Sequence, residues 1–241
     1  MKKVLILTLA ISLVVAGIAM ATVLSSKHDM RSRVTGNTTT QICVFCHHPH
    51  RGVAADGTSR ILLWNINGSA ATNFPTYNSP TAPLGGDTNL GTSDAAQYSR
   101  LCMTCHDGTV ADGGFIKGTK EAGASASLGS LTINDATANL GSTLADDHPV
   151  DFTYANATGS DIKAKDASTT DPKVIGNVTA VKYPLYNDGS NATMQCATCH
   201  DVHRGEAVGI QFMRELDDAG VAYSGGVITA SKICRDCHTA K

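Results

Sequence analysis

The chain has 241 residues, with 19 Lys and Arg against 21 Asp and Glu, a formal charge of −2 with histidine neutral. That near balance gives no sign of nucleic-acid binding, and 5% aromatic residues with 23 glycines leave little bulky apolar material for a conventional core. The eight cysteines and nine histidines are the residues to follow.

Met1-Lys2-Lys3 is a short cationic lead to an almost unbroken apolar run over residues 4–20, and Ala19-Met20-Ala21 has the small residues of a cleavage site. Together they predict a secretory signal peptide at residues 1–21 and an exported mature chain of residues 22–241. A membrane anchor is the competing reading, because residues 4–24 nearly reach spanning length; the small-residue site favours cleavage. His28 follows in Ser25-Ser26-Lys27-His28-Asp29-Met30, ahead of a polar, turn-forming run at 35–40.

Cys43-Val44-Phe45-Cys46-His47 is the first of four C-x-x-C-H units, the others running from Cys102 to His106, Cys196 to His200 and Cys234 to His238, and together they use every cysteine. This is the spelling of covalent c-type haem attachment: two thiols one helical turn apart add to the haem vinyl groups, and the next histidine reaches the iron. Disulfides or zinc knuckles explain the cysteines but not the histidines. With 9 histidines in 241 residues, four such coincidences arise by chance on the order of once in half a million. Four haem c groups are therefore expected, anchored by Cys43, Cys46, Cys102, Cys105, Cys196, Cys199, Cys234 and Cys237, with His47, His106, His200 and His238 as proximal ligands. Export agrees with this chemistry, and four flat apolar macrocycles supply the missing core.

Between the motifs, Arg60-Ile61-Leu62-Leu63-Trp64 concentrates apolar surface and is expected against a haem face. Residues 69–94, interrupted by Pro75, Pro80 and Pro83, read as ordered loop. Residues 113–145 read either as loop laid over the haems or as disorder, with Leu128, Leu131 and Ile133 hinting at one short strand or turn. In Asp146-Asp147-His148-Pro149, the proline biases His148 toward extended backbone. A long polar connector runs to Ala192, residues 208–216 carry a mixed signal, and residues 220–226 read as a turn. Regular structure should be scarce.

An internal repeat aligns Cys46-His47-His48-Pro49-His50-Arg51-Gly52 with Cys199-His200-Asp201-Val202-His203-Arg204-Gly205. Each half then runs in the same order: a solitary histidine, a C-x-x-C-H-x-x-H unit, and a plain C-x-x-C-H. The single mature domain thus reads as a tandem of dihaem halves, 22–112 and 146–241, with a polar connector. Four six-coordinate irons need eight histidines, and each half supplies four: His28, His47, His50 and His106, then His148, His200, His203 and His238. His48 is left over. Met30, Met103, Met194 and Met213 compete less well for the sixth position, so bis-histidine iron is expected, with His28, His148, His203 and His50 distal.

The second histidine of C-H-x-x-H lies too close in sequence to its proximal partner to arch over the same macrocycle. If His203 reaches back to the haem of Cys102 and Cys105, the repeat sends His50 back one haem too. No earlier haem exists within the chain. The expected destination is the last haem, at Cys234 and Cys237, of a neighbouring subunit, a head-to-tail contact that builds an open filament. Asp147 and Asp201 are candidate hydrogen-bond acceptors for ligand histidines.

These residues resemble the tetrahaem extracellular cytochromes that polymerise into filaments, the cytochrome nanowires of metal-reducing bacteria. The resemblance is carried by Ser25-Ser26-Lys27-His28-Asp29, residues 43–50 with their C-H-x-P-H ending, Leu62-Leu63-Trp64-Asn65, Cys102-Met103-Thr104-Cys105-His106-Asp107-Gly108, Asp147-His148-Pro149-Val150 and residues 196–203. It implies a multihaem cytochrome c fold, mostly coil with short helices wrapped around a linear haem array and little or no sheet. It also implies an axial histidine donated across the subunit junction, matched here by His50.

The expected function is electron transfer rather than catalysis, since iron with both axial positions filled has no open site for substrate. The expected form is an extracellular or cell-surface filament of identical subunits, exchanging electrons with donor and acceptor cytochromes or external metal oxides. Nucleic acid is not an expected partner, nor is a membrane after signal cleavage. A monomeric periplasmic shuttle is the alternative; a multihaem reductase would need a five-coordinate haem, for which no variant motif speaks.

Overall fold

The computed structural model describes residues 23–48, 64–66, 71, 73–77, 89–92, 96–108, 119–121, 124–126, 138–154, 174–175, 183–188, 191–203, 212–214 and 237–238; for 119–121, 124–126, 174–175, 187–188 and 191 it describes the backbone alone. The signal peptide, His50, Cys234, residues 60–63, and the Leu128, Leu131 and Ile133 cluster lie outside the described residues.

Three of the four helical segments among the described residues fall on attachment motifs. Two 3-10 turns occupy Met30–Ser32 and Cys43–Phe45, a ten-residue α-helix spans Gln97–His106, and a single α-turn spans Cys196–Cys199. The longest helix among the described residues contains neither glycine nor proline, and it ends where Gly108 takes a left-handed conformation at φ 75°. Its motif occupies the last turn, which sets Cys102 and Cys105 on neighbouring positions of one side.

Strands are more numerous than the composition suggests. A hairpin pairs β1 (Thr119–Glu121) with β2 (Ala124–Ala126), inside the stretch read as loop or disorder. Further on come β3 (Phe152–Thr153), β4 (Val174–Ile175), β5 (Tyr183–Pro184), β6 (Tyr186–Asp188) and β7 (Asn191–Met194), forming a three-stranded antiparallel sheet in the order β3-β7-β6 and a second pair, β4-β5. The stretch read as polar connector thus holds paired strands. Tyr183 and Leu185 are both buried, and alternate positions on an extended chain point to one face.

Among the described residues the buried apolar side chains gather in three small clusters. Val34, Val44 and Phe45 gather with Met30, Cys46 and Cys105. Phe74, Leu90, Ala96, Met103 and Leu144 form a second, and Phe152, Tyr154, Tyr183, Leu185, Met194 and Cys237 a third, packed by Cys199 and Met213. Two of the three are lined by motif cysteines, so the attachment sites and the packing centres coincide.

The halves recognised in the repeat are stitched together by buried polar groups. Ser99 Oγ donates to Gln195 Oε1 at 2.6 Å and accepts from Cys196 N at 2.9 Å. Gln195 Nε2 donates to Asp151 Oδ1 at 2.7 Å, and Asp151 Oδ2 accepts from Gly91 N at 2.6 Å. Arg100, buried beside this chain of bonds, donates to Leu90 O at 3.1 Å and lies over the Phe74 ring. These buried hydrogen bonds hold the second motif against the third in one register.

Ser99→Ala removes a donor and an acceptor at once, leaving Gln195 Oε1 and Cys196 N short of a partner. It is expected to destabilise the folded chain by about 1–3 kcal/mol, read by denaturant unfolding. A loss below about 0.5 kcal/mol would mean that the junction is not held by this network.

Candidate haem-binding sites

In each motif whose start is described, the backbone wraps into one turn that presents both thiols and then the histidine. His47 N donates to Cys43 O at 2.8 Å, and His200 N to Cys196 O at 3.0 Å; His106 closes the last turn of its helix. Cys43 is exposed, Cys46, Cys102, Cys105, Cys196 and Cys199 are half-buried, and Cys237 is buried. Burial pushes the Cys46 thiol up to about 12 and the Cys105 thiol up to about 11, so both are neutral thiols near pH 7.

The motifs meet one another through these thiols in sequence order. Cys46 of the first and Cys105 of the second share an apolar cluster. Cys102 of the second and Cys196 of the third are hydrogen-bonded, and that bond, followed by burial, raises the Cys102 thiol well above its ordinary value. Cys199 of the third packs against the cluster that contains Cys237 of the fourth. The contacts alternate, second thiol to second, first to first, second to second.

The histidines come together in pairs. His28 lies 6.1 Å from His106 between ring centroids, His47 lies 6.2 Å from His203, and His148 lies 6.5 Å from His238. Each pair joins a motif histidine to one expected to be distal. His203 therefore stands beside the histidine of the first motif, while the second motif's His106 has His28 beside it. The ring beside His203 is thus that of the first motif's His47, and His28, beside His106, also lies within electrostatic reach of His200 and His203.

These separations test whether the residues fit a haem. Two imidazoles on opposite sides of one metal put their ring centroids roughly 6.3 Å apart, from about 2.0 Å per metal–nitrogen bond and about 1.15 Å from nitrogen to ring centre. All three pairs fall within a few tenths of an ångström of that spacing. Among the described residues no group of three or more His, Cys, Asp or Glu converges to hold a metal ion by itself. Each histidine pair offers two nitrogen donors, fewer than the four protein ligands of a structural zinc site.

The surroundings of each pair differ. His28 is carried on a turn pinned by Asp29, whose carboxylate accepts from Ser25 N at 2.9 Å and pairs with Arg31 at 2.7 Å; the Arg31 hydrogen bond holds the carboxyl down near about 2. Burial, helped by nearby His106, lowers His28 to about 4, so its imidazole is neutral and keeps a lone pair. The Phe212 ring meets it edge-on at 4.4 Å, and its Nδ1 is buried without a hydrogen-bond partner. His47 has Trp64 edge-on at 6.0 Å, whose indole donates to Thr104 Oγ1 at 3.3 Å. His148 Nδ1 lies 3.0 Å from Pro149 O, which can only accept, so its Nε2 is the free donor to a metal.

Of the two carboxylates expected to orient ligand histidines, Asp201 lies 3.6 Å from His203 Nδ1 and is itself held by Arg214 at 3.0 Å. Asp147 sits on a turn closed to Leu144 O at 3.2 Å, its carboxyl raised by burial and by Asp146. The four methionines are engaged in packing: Met103 and Met194 are buried core residues, and Met30 and Met213 pack against clusters. His48 is half-buried, with a buried Nδ1 that has no hydrogen-bond partner.

Two neighbours of the histidines were not legible in the sequence. Phe212 lay in a stretch of mixed signal, and its left-handed backbone, φ 56°, is a tertiary outcome. Ala138, whose carbonyl meets His106 Nδ1 at 2.6 Å, has no side chain that could have marked it. Among the described residues no helix is long and apolar enough to cross a membrane. No family model matches the chain, and no curated protein matches it.

Proposed function

We propose that this chain is an exported electron carrier holding four covalently attached c-type haems with paired histidine ligands, and that copies of it join head to tail. The observation that carries the reading is the spacing of three histidine pairs, 6.1, 6.2 and 6.5 Å, each built from one C-x-x-C-H histidine and one histidine from elsewhere. When bound, such a haem supplies one-electron exchange between ferric and ferrous iron, with no coordination site left for a substrate.

The chain's own residues do the rest. The cysteine pairs anchor the groups, and the thiol contacts in the order first to fourth motif support a continuous array. In this reading His47 and His203 hold the first iron, His106 and His28 the second, and His238 and His148 the fourth. Phe212 and Trp64 cover ligand rings with apolar surface, which excludes water from the iron and so tunes its potential.

The same pairing supports a revised destination for His50. His203, in the third motif, reaches the first, two motifs back. By the repeat, His50 in the first motif also reaches two back, which in a head-to-tail array is the third motif of the preceding subunit. The ligand count agrees, since His148 serves the fourth motif's His238 in this reading. The junction is heterologous, as an open filament requires.

Iron analysis and visible spectroscopy of the purified exported protein test the cofactor. Four irons per chain and the sharp absorption bands of reduced low-spin c-type haem are expected, falling to three irons in the Cys196→Ser/Cys199→Ser variant. Zinc or disulfides in their place would sink the reading.

A further inference from the structure

We propose that residues 138–141 form a positioning strap for His106, which holds its imidazole in one tautomer and lowers the potential of the haem at the second motif. The proposal rests on the haem reading above. Two bonds fasten the strap to the end of the helix: His106 Nδ1 meets Ala138 O at 2.6 Å, and Leu140 N donates to His106 O at 2.8 Å. Asn139 Oδ1 accepts from Gly141 N at 3.0 Å and shapes the turn between them.

A carbonyl oxygen accepts and never donates, so the proton of His106 sits on Nδ1 and the lone pair on Nε2 faces the metal side. The helix also gains, because the last carbonyls of a helix have no partner within it. Gly108 makes the close approach possible. Its φ is +75°, and a Cβ there would come within 2.6 Å of Asn139 Oδ1.

The histidine paired with it is held differently. His28 lies 6.1 Å away with its Nδ1 buried and unpartnered, fixed by the edge of Phe212 rather than by a hydrogen bond. Of the two imidazoles, His106 alone has its Nδ1–H drawn to a carbonyl among these contacts. That bond makes Nε2 more basic, which favours ferric over ferrous iron and lowers the potential.

Gly108→Ala in the haem-loaded protein drives Asn139 aside and moves the Ala138 carbonyl off the ring. The expected result is four retained haems, one midpoint potential raised with the other three unmoved, and a change in one low-spin electron paramagnetic resonance signal. Since this variant also strains the backbone at position 108, Asn139→Ala provides a second route, loosening the turn without that strain and raising the same single potential. Unmoved potentials in both variants, or equal shifts at every centre, overturn the strap. A wild-type protein that carries no haem overturns the functional reading instead, and the haem count separates the two results.

Discussion

Replacing both His47 and His203 with alanine is expected to disturb one iron centre, whereas pairings that assign the two histidines to different haems predict two. In the structure their rings are 6.2 Å apart and nearly parallel, at 17°. Each single replacement should convert about a quarter of the haem from the low-spin to the high-spin spectrum, because one of four irons loses an imidazole. The double variant should again affect about a quarter, since both losses fall on the same metal. Strong non-additivity of this kind is the signature of residues that share a partner. If the double variant affects about half of the haem, the pairing is wrong and His203 serves another centre.

His50→Ala is expected to leave four covalent haems, produce one altered iron per subunit and abolish filaments. The covalent anchors are untouched, so haem content should hold; the axial bond across the junction is lost, and the contact it closes should fail. Size-exclusion chromatography and negative-stain microscopy of wild type and variant decide the matter. Filaments that persist in the variant would rule out the trans-ligand role. A protein that is monomeric before and after the change, with one iron altered, would make the chain a shuttle whose His50 binds within its own subunit.

Both predictions concern pairing, the part least accessible from the order of residues. The repeat in residues 46–52 and 199–205 revealed two kinds of motif and a matched set of solitary histidines. Counting them indicated eight ligands, yet counting does not say which two share an iron. Along the chain the nearest earlier motif to His203 is the second, at Cys102 and Cys105. In the folded chain, Ser99, Gln195 and Asp151 lock the second motif to the third, and His203 comes to the first. The solitary His28 likewise crosses to His106 and meets Phe212 from the far end of the chain.

The sheets were hidden for a different reason. Strands β3, β6 and β7 are two to four residues long, too short for alternation to stand out among Thr, Asn and Asp. They form because Phe152, Tyr183, Leu185 and Met194 find one another in a cluster beside Cys237. That is a packing outcome, and β propensity follows such contexts.

Cysteine and histidine spacing alone carries the expectation of four haem-attachment sites, because C-x-x-C-H is chemistry written within a single turn: two thiols, then an imidazole. Nothing distant is needed to read it. Partnership between histidines, the carbonyl that orients His106 and the ring that covers His28 depend on where remote segments come to rest. Those contacts arise only when buried polar bonds and small apolar clusters bring the segments together, and no local pattern encodes them.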